Sequence, residues 1–399
     1  MKNIKNVVIT QKCCSCGICA GVCAKDAIFM EINKRTGEPF PRVNETRCVD
    51  CGACLNVCPG LSCASLILTD TPKEHQRRQC SHLEAWVGSI KDSGLLINCT
   101  SGGIVSELVR TLLSDSVYES AFLVNTNQYA DLAESERTTL HTPSSSKSRY
   151  VAISHEKAVK YILSHRDERI IIIAVSCAIN GFRNLFRQYH LNSDNYLLVG
   201  LFCDKIMTYQ IWDYFCSAYS SQGVLTGLDF RNKLESGWPG DIRLYFNNAS
   251  MFAARKERML VKKFFQSERC LYCTDKLNES SDISVGDDYT GSNTSTGGRS
   301  SIIIRTSTGK RALDAIRNKC TLAAISIDEL YTSQHVGQKQ KNIRYARLKY
   351  RGMLHSQASF KDILSYAKAK TMIKIGRSYC KAPVFLHIAL KVKKFISSL

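Results

Sequence analysis

Apolar and polar positions sort the chain into an irregular N-terminal stretch, a layered middle and a helical end. Residues 27–32 alternate as a short strand, and Gly37, Pro39 and Pro41 mark the turn after it. Residues 95–98 form a short apolar run, predicted as a buried strand. It leads into Cys99, Thr100, Ser101, Gly102 and Gly103, after which Ile104, Val105, Leu108, Val109, Leu112 and Leu113 recur at helical spacing. Strand-like runs return at 121–125, 170–175, 197–202 and 302–305, and helical patterns cover 156–163 and 178–188. Such alternation predicts an α/β core with a largely parallel sheet. At the end of the chain, residues 342–350 interleave Arg344, Arg347 and Lys349 with Ile343, Tyr345 and Leu348. Residues 384–396 set apolar positions around Lys391, Lys393 and Lys394. Both stretches predict basic amphipathic helix.

Cysteine changes the picture of the first sixty residues. Cys13, Cys16, Cys19 and Cys23, then Cys48, Cys51, Cys54 and Cys58, each read C-x2-C-x2-C-x3-C, and Pro59 closes the second copy. This is the bacterial two-cluster ferredoxin run, whose fourth cysteine ligates the other cluster. It predicts an α+β two-cluster ferredoxin domain. Cys13, Cys16, Cys19 and Cys58 are expected on one 4Fe-4S cluster, and Cys48, Cys51, Cys54 and Cys23 on the second. Zinc knuckles use four ligands in two C-x2-C pairs, and a disulfide framework needs an export signal that the first ten residues do not resemble. Ala24 stands where the first copy would usually carry proline.

At 399 residues the chain is too long for a ferredoxin alone. Three regions are expected: the 2x(4Fe-4S) ferredoxin domain over 1–75, a core over 80–330 and a basic helical tail over 331–399, with the polar stretch 72–79 at the first boundary. No apolar run approaches the ~20 residues that span a bilayer, so a soluble or peripheral protein is expected. Nineteen cysteines without an export signal predict a reducing compartment, the cytoplasm. The net charge of +19 is uneven, for residues 331–399 carry fifteen Lys or Arg against one acid, Asp362. A basic tail of this kind can make peripheral contact with the inner face of a membrane, dock an acidic redox partner, or pack on the core by its apolar face. No recognition motif accompanies the charge, so nucleic acid is not an expected partner.

Ligands in layered α/β cores bind beyond the carboxyl ends of strands. Cys177 follows one such run and Cys203 another, so both thiols are expected at one edge, and Cys270 and Cys273 form a C-x2-C. The residues alone leave these four open between a third 4Fe-4S cluster and small buried core positions. A small-residue turn opening a helix, as at 99–103, aims backbone N–H groups at whatever sits above the sheet. Cys14, Cys63, Cys80, Cys99, Cys216, Cys320 and Cys380 read as packing residues, and Cys14, beside a ligand, otherwise as an alternative ligand.

Seven blocks follow in order. They are Thr100-Ser101-Gly102-Gly103, the segment ending Ser148-Arg149-Tyr150, the strand before Cys177, and Gly200-Leu201-Phe202-Cys203. Then come Phe230-Arg231-Asn232-Lys233 with Gly237-Trp238, Cys270-x2-Cys273-x-Asp275, and Asp282-Ile283-Ser284-Val285-Gly286-Asp287. With them the chain, from the ferredoxin through about Thr308, resembles the coenzyme F420 hydrogenase/dehydrogenase beta-subunit family, which carries a flavin and iron-sulfur clusters. The resemblance implies that Cys177, Cys203, Cys270 and Cys273 ligate a third 4Fe-4S cluster. It implies FAD at the Ser101-Gly102-Gly103 turn, with Arg149 and Asp287 in its site and Arg231 and Lys233 near its phosphates or the substrate. The implied activity is an iron-sulfur flavoprotein oxidoreductase moving electrons between coenzyme F420, or another small substrate, and a ferredoxin-like partner. A non-catalytic electron-transfer subunit, and a ferredoxin-driven reductase of polysaccharide or cell-surface biosynthesis, are the other readings of the same parts. Two positions depart from the family: Val175-Ser176-Cys177-Ala178 replaces a usual Thr-Pro-Cys-Gln, and Arg149 a usual lysine.

Overall fold

The N-terminal duplication is written in the backbone as well as in the sequence. Ser15 and Gly17 in the first copy, and Asp50 and Gly52 in the second, all have φ between 51° and 77°. These left-handed residues bend the chain around the space between the cysteines and open the short helices Ile18–Gly21 and Ala53–Asn56. Strands β1 (Ile28–Ile32) and β2 (Pro39–Val43) pair antiparallel beside them. The computed structural model describes residues 3–9, 12–61, 72–142, 146–291, 295–336 and 360–396. Cys63 and residues 342–350 lie outside the described residues.

The remaining strands are β3 (Glu84–Ile90), β4 (Ser120–Leu123), β5 (Glu136–Thr138), β6 (Ile170–Val175), β7 (Tyr196–Leu201), β8 (Leu225–Asn232), β9 (Asp241–Phe246), β10 (Ser250–Ala253), β11 (Ile283–Asp287), β12 (Ser300–Ile304) and β13 (Cys320–Ala324). Eight of them form one sheet in the order β13-β3-β12-β11-β7-β6-β4-β5. Its middle is parallel, through β11–β7, β7–β6 and β6–β4. Its flanks are antiparallel, through β4–β5, β11–β12, β12–β3 and β3–β13. The sheet is therefore mixed, where a largely parallel one was expected. Parallel neighbours need a crossover, which the helices Glu156–Ser164 and Ser176–Gln188 supply before β6 and β7. The turn-rich connection after β11 returns directly, which makes β12 antiparallel.

Residues 95–98 are a second correction. They end the helix Ser93–Asn98, whose Asp92 cap accepts from Leu95 N at 2.9 Å. A four-residue apolar run does not separate helix from strand, and the cap decides it. The turn 99–103 thus joins two helices, and the second, Ile104–Ser114, packs Ile104, Leu108, Val109 and Leu112 on the large sheet.

β10-β9-β8 make a separate antiparallel sheet around a second core with Tyr214, Phe215, Phe230 and Phe264. The tail closes that core. Helices Phe360–Tyr379 and Pro383–Ile396 bury Met372 and Leu386 in it, and the turn between them buries Cys380. The stretch 72–79 is a helix, Pro72–Gln79, and ends on a fully buried Gln79 whose Nε2 donates to Asp275 Oδ1 at 3.0 Å. The ferredoxin shares the core's packing: Ile18, Val22 and Val57 join Phe182 and Ile179 in one apolar cluster. Gly181 allows it, since a Cβ there would stand 2.4 Å from Ile18 Cδ1. No helix among the described residues is long and apolar enough to cross a membrane.

Candidate redox centre

The two short helices of the ferredoxin bring its cysteines together in the crossed order. Cys13, Cys14, Cys16, Cys19 and Cys58 line one cavity with Pro59, Ile4 and Met30. Cys23, Cys51 and Cys54 lie around Tyr189 on the other side. Burial pushes the Cys13 thiol up to about 12 and Cys58 to about 11, and it raises Cys16 and Cys19 as well. Thiols so placed keep their protons until iron displaces them, so loading releases protons. No group of three or more His, Cys, Asp or Glu among the described residues converges on a single metal ion. A cube takes one thiolate per iron, so its four ligands stand apart around it. Backbone N–H groups already point at sulfur, from Ser15 to Cys13 at 3.4 Å and from Ala27 to Cys23 at 3.3 Å.

The core cysteines meet at the carboxyl ends of β6 and β7. Cys177 is the second residue of the helix Ser176–Gln188, directly after β6, and Cys203 follows β7 and lies close enough to raise the Cys177 thiol. Cys270 and Cys273 sit on and after the 3-10 turn Glu268–Tyr272. Two bonds from backbone N–H groups bring that loop to Cys203: Cys203 N donates to Lys276 O at 3.0 Å, and Ile206 N to Cys270 Sγ at 3.4 Å. Helix Ser176–Gln188 thus carries Cys177 at its start, and Tyr189, beside the second ferredoxin set, at its end.

The turn 99–103 is held from across the fold through its own side chains and its backbone. Ser148 N donates to Thr100 Oγ1 at 2.9 Å, Ser101 Oγ to Arg299 O at 2.6 Å, and Gly102 N to Ser300 Oγ at 3.0 Å. Gly102 is required by packing, for a Cβ there would stand 2.5 Å from Gly88 O. Gly103, at φ 79°, opens the following helix. Lys233 is 1% exposed, and its Nζ donates to Leu96 O, Ser101 O and Gly297 O at 2.6, 3.0 and 2.6 Å. Burial lowers it to about 8, and the three carbonyls hold its proton in place.

Arg231, at φ 59° beside the β8 bulge, grips Asp287 with two bonds of 2.5 and 2.8 Å and donates through Nε to Pro239 O at 3.1 Å. Burial alone would raise the Asp287 carboxyl, but the guanidinium holds it below the usual carboxylate range. Arg149 hydrogen-bonds to the carbonyls of Asn125 and Thr126 and stands 3.8 Å from Asp229. The charges of Arg231 and Lys233 are thus engaged within the chain.

Three other polar groups lie nearby, and of them sequence singled out only Trp238. Lys147 Nζ, Trp238 Nε1 and Asn125 Oδ1 are buried without a hydrogen-bond partner among the described residues. Lys147 stands two residues before Arg149, in a block whose last three residues carried the resemblance. Cys14 and Arg269 were also missed as contacts of the core: the Cys14 thiol lies beside Cys177 and Arg269. Adjacency to Cys13 and Cys270 is their only trace in the sequence.

Residues 12–60 match the family model of the 4Fe-4S dicluster domain, and residues 167–329 match that of the C-terminal part of the coenzyme F420 hydrogenase/dehydrogenase beta subunit. The chain is 23% identical over 331 residues to the coenzyme F420-dependent sulfite reductase of Methanocaldococcus jannaschii. That alignment covers 79% of this chain and 48% of the reductase, so the chain spans about half the length of this relative. A solved chain of the F420-reducing NiFe hydrogenase complex from Methanosarcina barkeri aligns with a TM-score of 0.48 at 15% identity, over 66% of this chain and 90% of that one. Together the sequence matches give the chain an N-terminal 4Fe-4S dicluster domain followed by a region that matches the coenzyme F420 hydrogenase/dehydrogenase beta-subunit family.

Proposed function

We propose that this chain is an iron-sulfur flavoprotein oxidoreductase that passes electrons between coenzyme F420, or another small substrate, and a ferredoxin-like partner. The observation that carries the reading is the gathering of cysteines at both ends of one helix, Ser176–Gln188, with Cys177 at its start and the Cys23, Cys51 and Cys54 set around Tyr189 at its end. In this reading the eight ferredoxin cysteines hold two 4Fe-4S clusters, and Cys177, Cys203, Cys270 and Cys273 hold a third. FAD lies at the Ser101-Gly102-Gly103 turn, with Arg149, Arg231, Lys233 and Asp287 shaping its surroundings. Lys147 Nζ, Trp238 Nε1 and Asn125 Oδ1, without partners among the described residues, fit a polar ligand there, since buried donors and acceptors without partners are costly. A bound flavin takes a hydride as an electron pair and gives electrons up singly, which is the conversion that one-electron clusters require.

The chain's own residues do the positioning. Lys233 pins the turn through three carbonyls, and the Arg231–Asp287 pair fixes β8 against β11. The short sulfur-directed N–H bonds at Cys13, Cys23 and Cys270 stabilise added negative charge on each sulfur. Anaerobic reconstitution, followed by counting flavin and iron and then mixing with reduced F420, tests the reading. Rapid bleaching of the flavin is expected. A chain with its full iron complement and no flavin overturns it.

A second reading, a relay subunit serving a separate catalytic partner, draws on the same gathering of cysteines at both ends of the helix Ser176–Gln188. Co-purification with a larger complex, and no turnover of any small substrate by the isolated chain, would support it. The basic tail adds a peripheral membrane contact as a proposal, its apolar side supplied by the exposed Val384, Phe385 and Ile388. Sedimentation with anionic against neutral vesicles tests that contact.

A further inference from the structure

The helix Arg255–Phe264 carries a cation on its inner face. Its buried residues are Arg258, Val261 and Phe264, and the two apolar ones belong to the second core. Arg258 is 6% exposed, and its Nε has no hydrogen-bond partner among the described residues. The acid beside it, Asp287, is already gripped by both terminal nitrogens of Arg231. A buried lysine can shed its proton, but a guanidinium stays charged, and a buried charge left unpaired is costly. Tyr150 and Tyr289 lie close enough to act on that charge. One turn along the helix, Lys262 Nζ stands 5.4 Å over the Tyr150 ring. Tyr289 is 49% exposed and its hydroxyl donates to Asp287 Oδ2 at 2.9 Å, so this group of side chains reaches solvent.

We propose that Arg258, with Lys262 one turn away, anchors an anionic oxygen group, a phosphate or a carboxylate, on the small substrate that exchanges electrons with the flavin. This rests on the reading that a flavin lies at the turn 99–103. Asp287 neighbours both Ser101 of that turn and Arg258, so an anion held on Arg258 sets the rest of its molecule beside the flavin site. The planar guanidinium presents parallel N–H donors that match the edge of a carboxylate or phosphate. Arg231 cannot do this work, since its Nε goes to Pro239 O and its other nitrogens to Asp287. With Asp287 it forms a neutral pair, which leaves Arg258 and Lys262 to set the sign of the site. A neutral or cationic substrate would leave Arg258 buried and unanswered. The flavin's own phosphates are the other source of the same chemistry. The exposure of Tyr289 favours the substrate, which must come and go, over a resident cofactor.

The test uses the full chain reconstituted anaerobically with iron, sulfide and FAD, its Arg258→Gln and Arg258→Lys variants, and inorganic phosphate as the probe. Flavin and iron are counted first, and phosphate is then titrated against the flavin absorbance and the unfolding temperature. The wild type is expected to bind phosphate saturably. Arg258→Gln should weaken that binding by at least about tenfold, the loss of a charge-assisted bond, while flavin and iron contents hold. Arg258→Lys keeps the charge without the fork, so it should fall between the two and keeps the comparison readable if the glutamine variant does not fold. A wild type indifferent to phosphate, or an unchanged Kd in either variant, overturns the inference. Loss of flavin from Arg258→Gln with iron retained also overturns it, by giving the guanidinium to the flavin's own phosphates. A wild type that takes up iron and no flavin overturns the flavoprotein reading instead. The unfolding-temperature titration still runs on that chain and judges the anion site separately.

Discussion

Arg231 combines a left-handed backbone, near-complete burial and a two-bond grip on Asp287. A non-glycine residue in that conformation costs on the order of 1 kcal/mol or more, so the pair must hold it there. Removing one partner leaves a charge buried alone, which costs about 3–5 kcal/mol, whereas removing both leaves none. Asp287→Ala should therefore lower the unfolding temperature of the reconstituted protein more than Asp287→Ala combined with Arg231→Leu. If the double variant is the less stable of the two, the pair is not what holds the site. Lys147 makes a different case, a buried cation that feels the charge of Asp229 without a direct bond to it. Burial lowers its pKa, and its Nζ has no hydrogen-bond partner among the described residues. A charge-assisted hydrogen bond to a ligand is worth about 1.5–3 kcal/mol, so Lys147→Met should weaken flavin retention by roughly ten- to a hundredfold and leave iron content alone. Unchanged flavin in that variant would turn the amine away from the cofactor. At this scale the sequence displays ligands well, because clusters demand a fixed spacing. It hides Lys147, whose role comes from contacts made only in the fold.

The elements that carry the core cysteines are the legible ones. β6 and β7 are runs of branched and apolar residues, and the helix Ser176–Gln188 repeats Ile179, Phe182 and Phe186 on one face. β3 is not legible, because Gly88 interrupts it. A Cβ there would stand 2.1 Å from Thr321 O of the neighbouring strand, so pairing requires the residue that weakens the signal. β9 alternates clearly at Ile242, Leu244 and Phe246, yet nothing in it announces a second sheet. The join between ferredoxin and core runs through His155, at the start of the helix Glu156–Ser164. Its backbone N binds Cys16 O, its ring meets Ser135 Oγ at 2.9 Å, and an edge faces Phe182. Burial lowers this imidazole to about 4, so it stays neutral in the fold while the unfolded chain titrates near ~6.5. Its contribution is complete above about pH 6.5 and drains away as the pH falls toward 4, by on the order of 3 kcal/mol in all. The unfolding temperature should drop between pH 7 and pH 5, and His155→Gln should flatten that slope. An equal slope in both proteins would place the titration elsewhere.

Across the whole molecule, the fifteen cations of the tail announce a charge but not its partner. The structure supplies the acids. Arg377 stands 3.3 Å from Glu38 in the ferredoxin hairpin and 3.6 Å from Glu268 on the loop carrying Cys270. Lys370 meets Glu268 at 2.8 Å, and Tyr366 hydrogen-bonds to Tyr272 on the same loop. Glu268 N in turn donates to Glu38 Oε1 at 2.8 Å. One helix therefore ties the ferredoxin and the loop of the core cysteines to the second core, where Met372 and Leu386 are buried. Burying a large apolar side chain is worth about 1.5–3 kcal/mol. Deleting residues 337–399 should then cost on the order of 5 kcal/mol, enough to lower the unfolding temperature clearly. Arg377→Ala keeps the apolar contacts and removes only partly exposed ion pairs, so its cost should be nearer 1 kcal/mol. The two variants separate strap from ballast. If the tail locks the ferredoxin against the core loop, Arg377→Ala should speed proteolytic cleavage between ferredoxin and core while the second core stays protected. Cleavage there at the wild-type rate, with only the deletion destabilised, would reduce the tail to a cover for the second core.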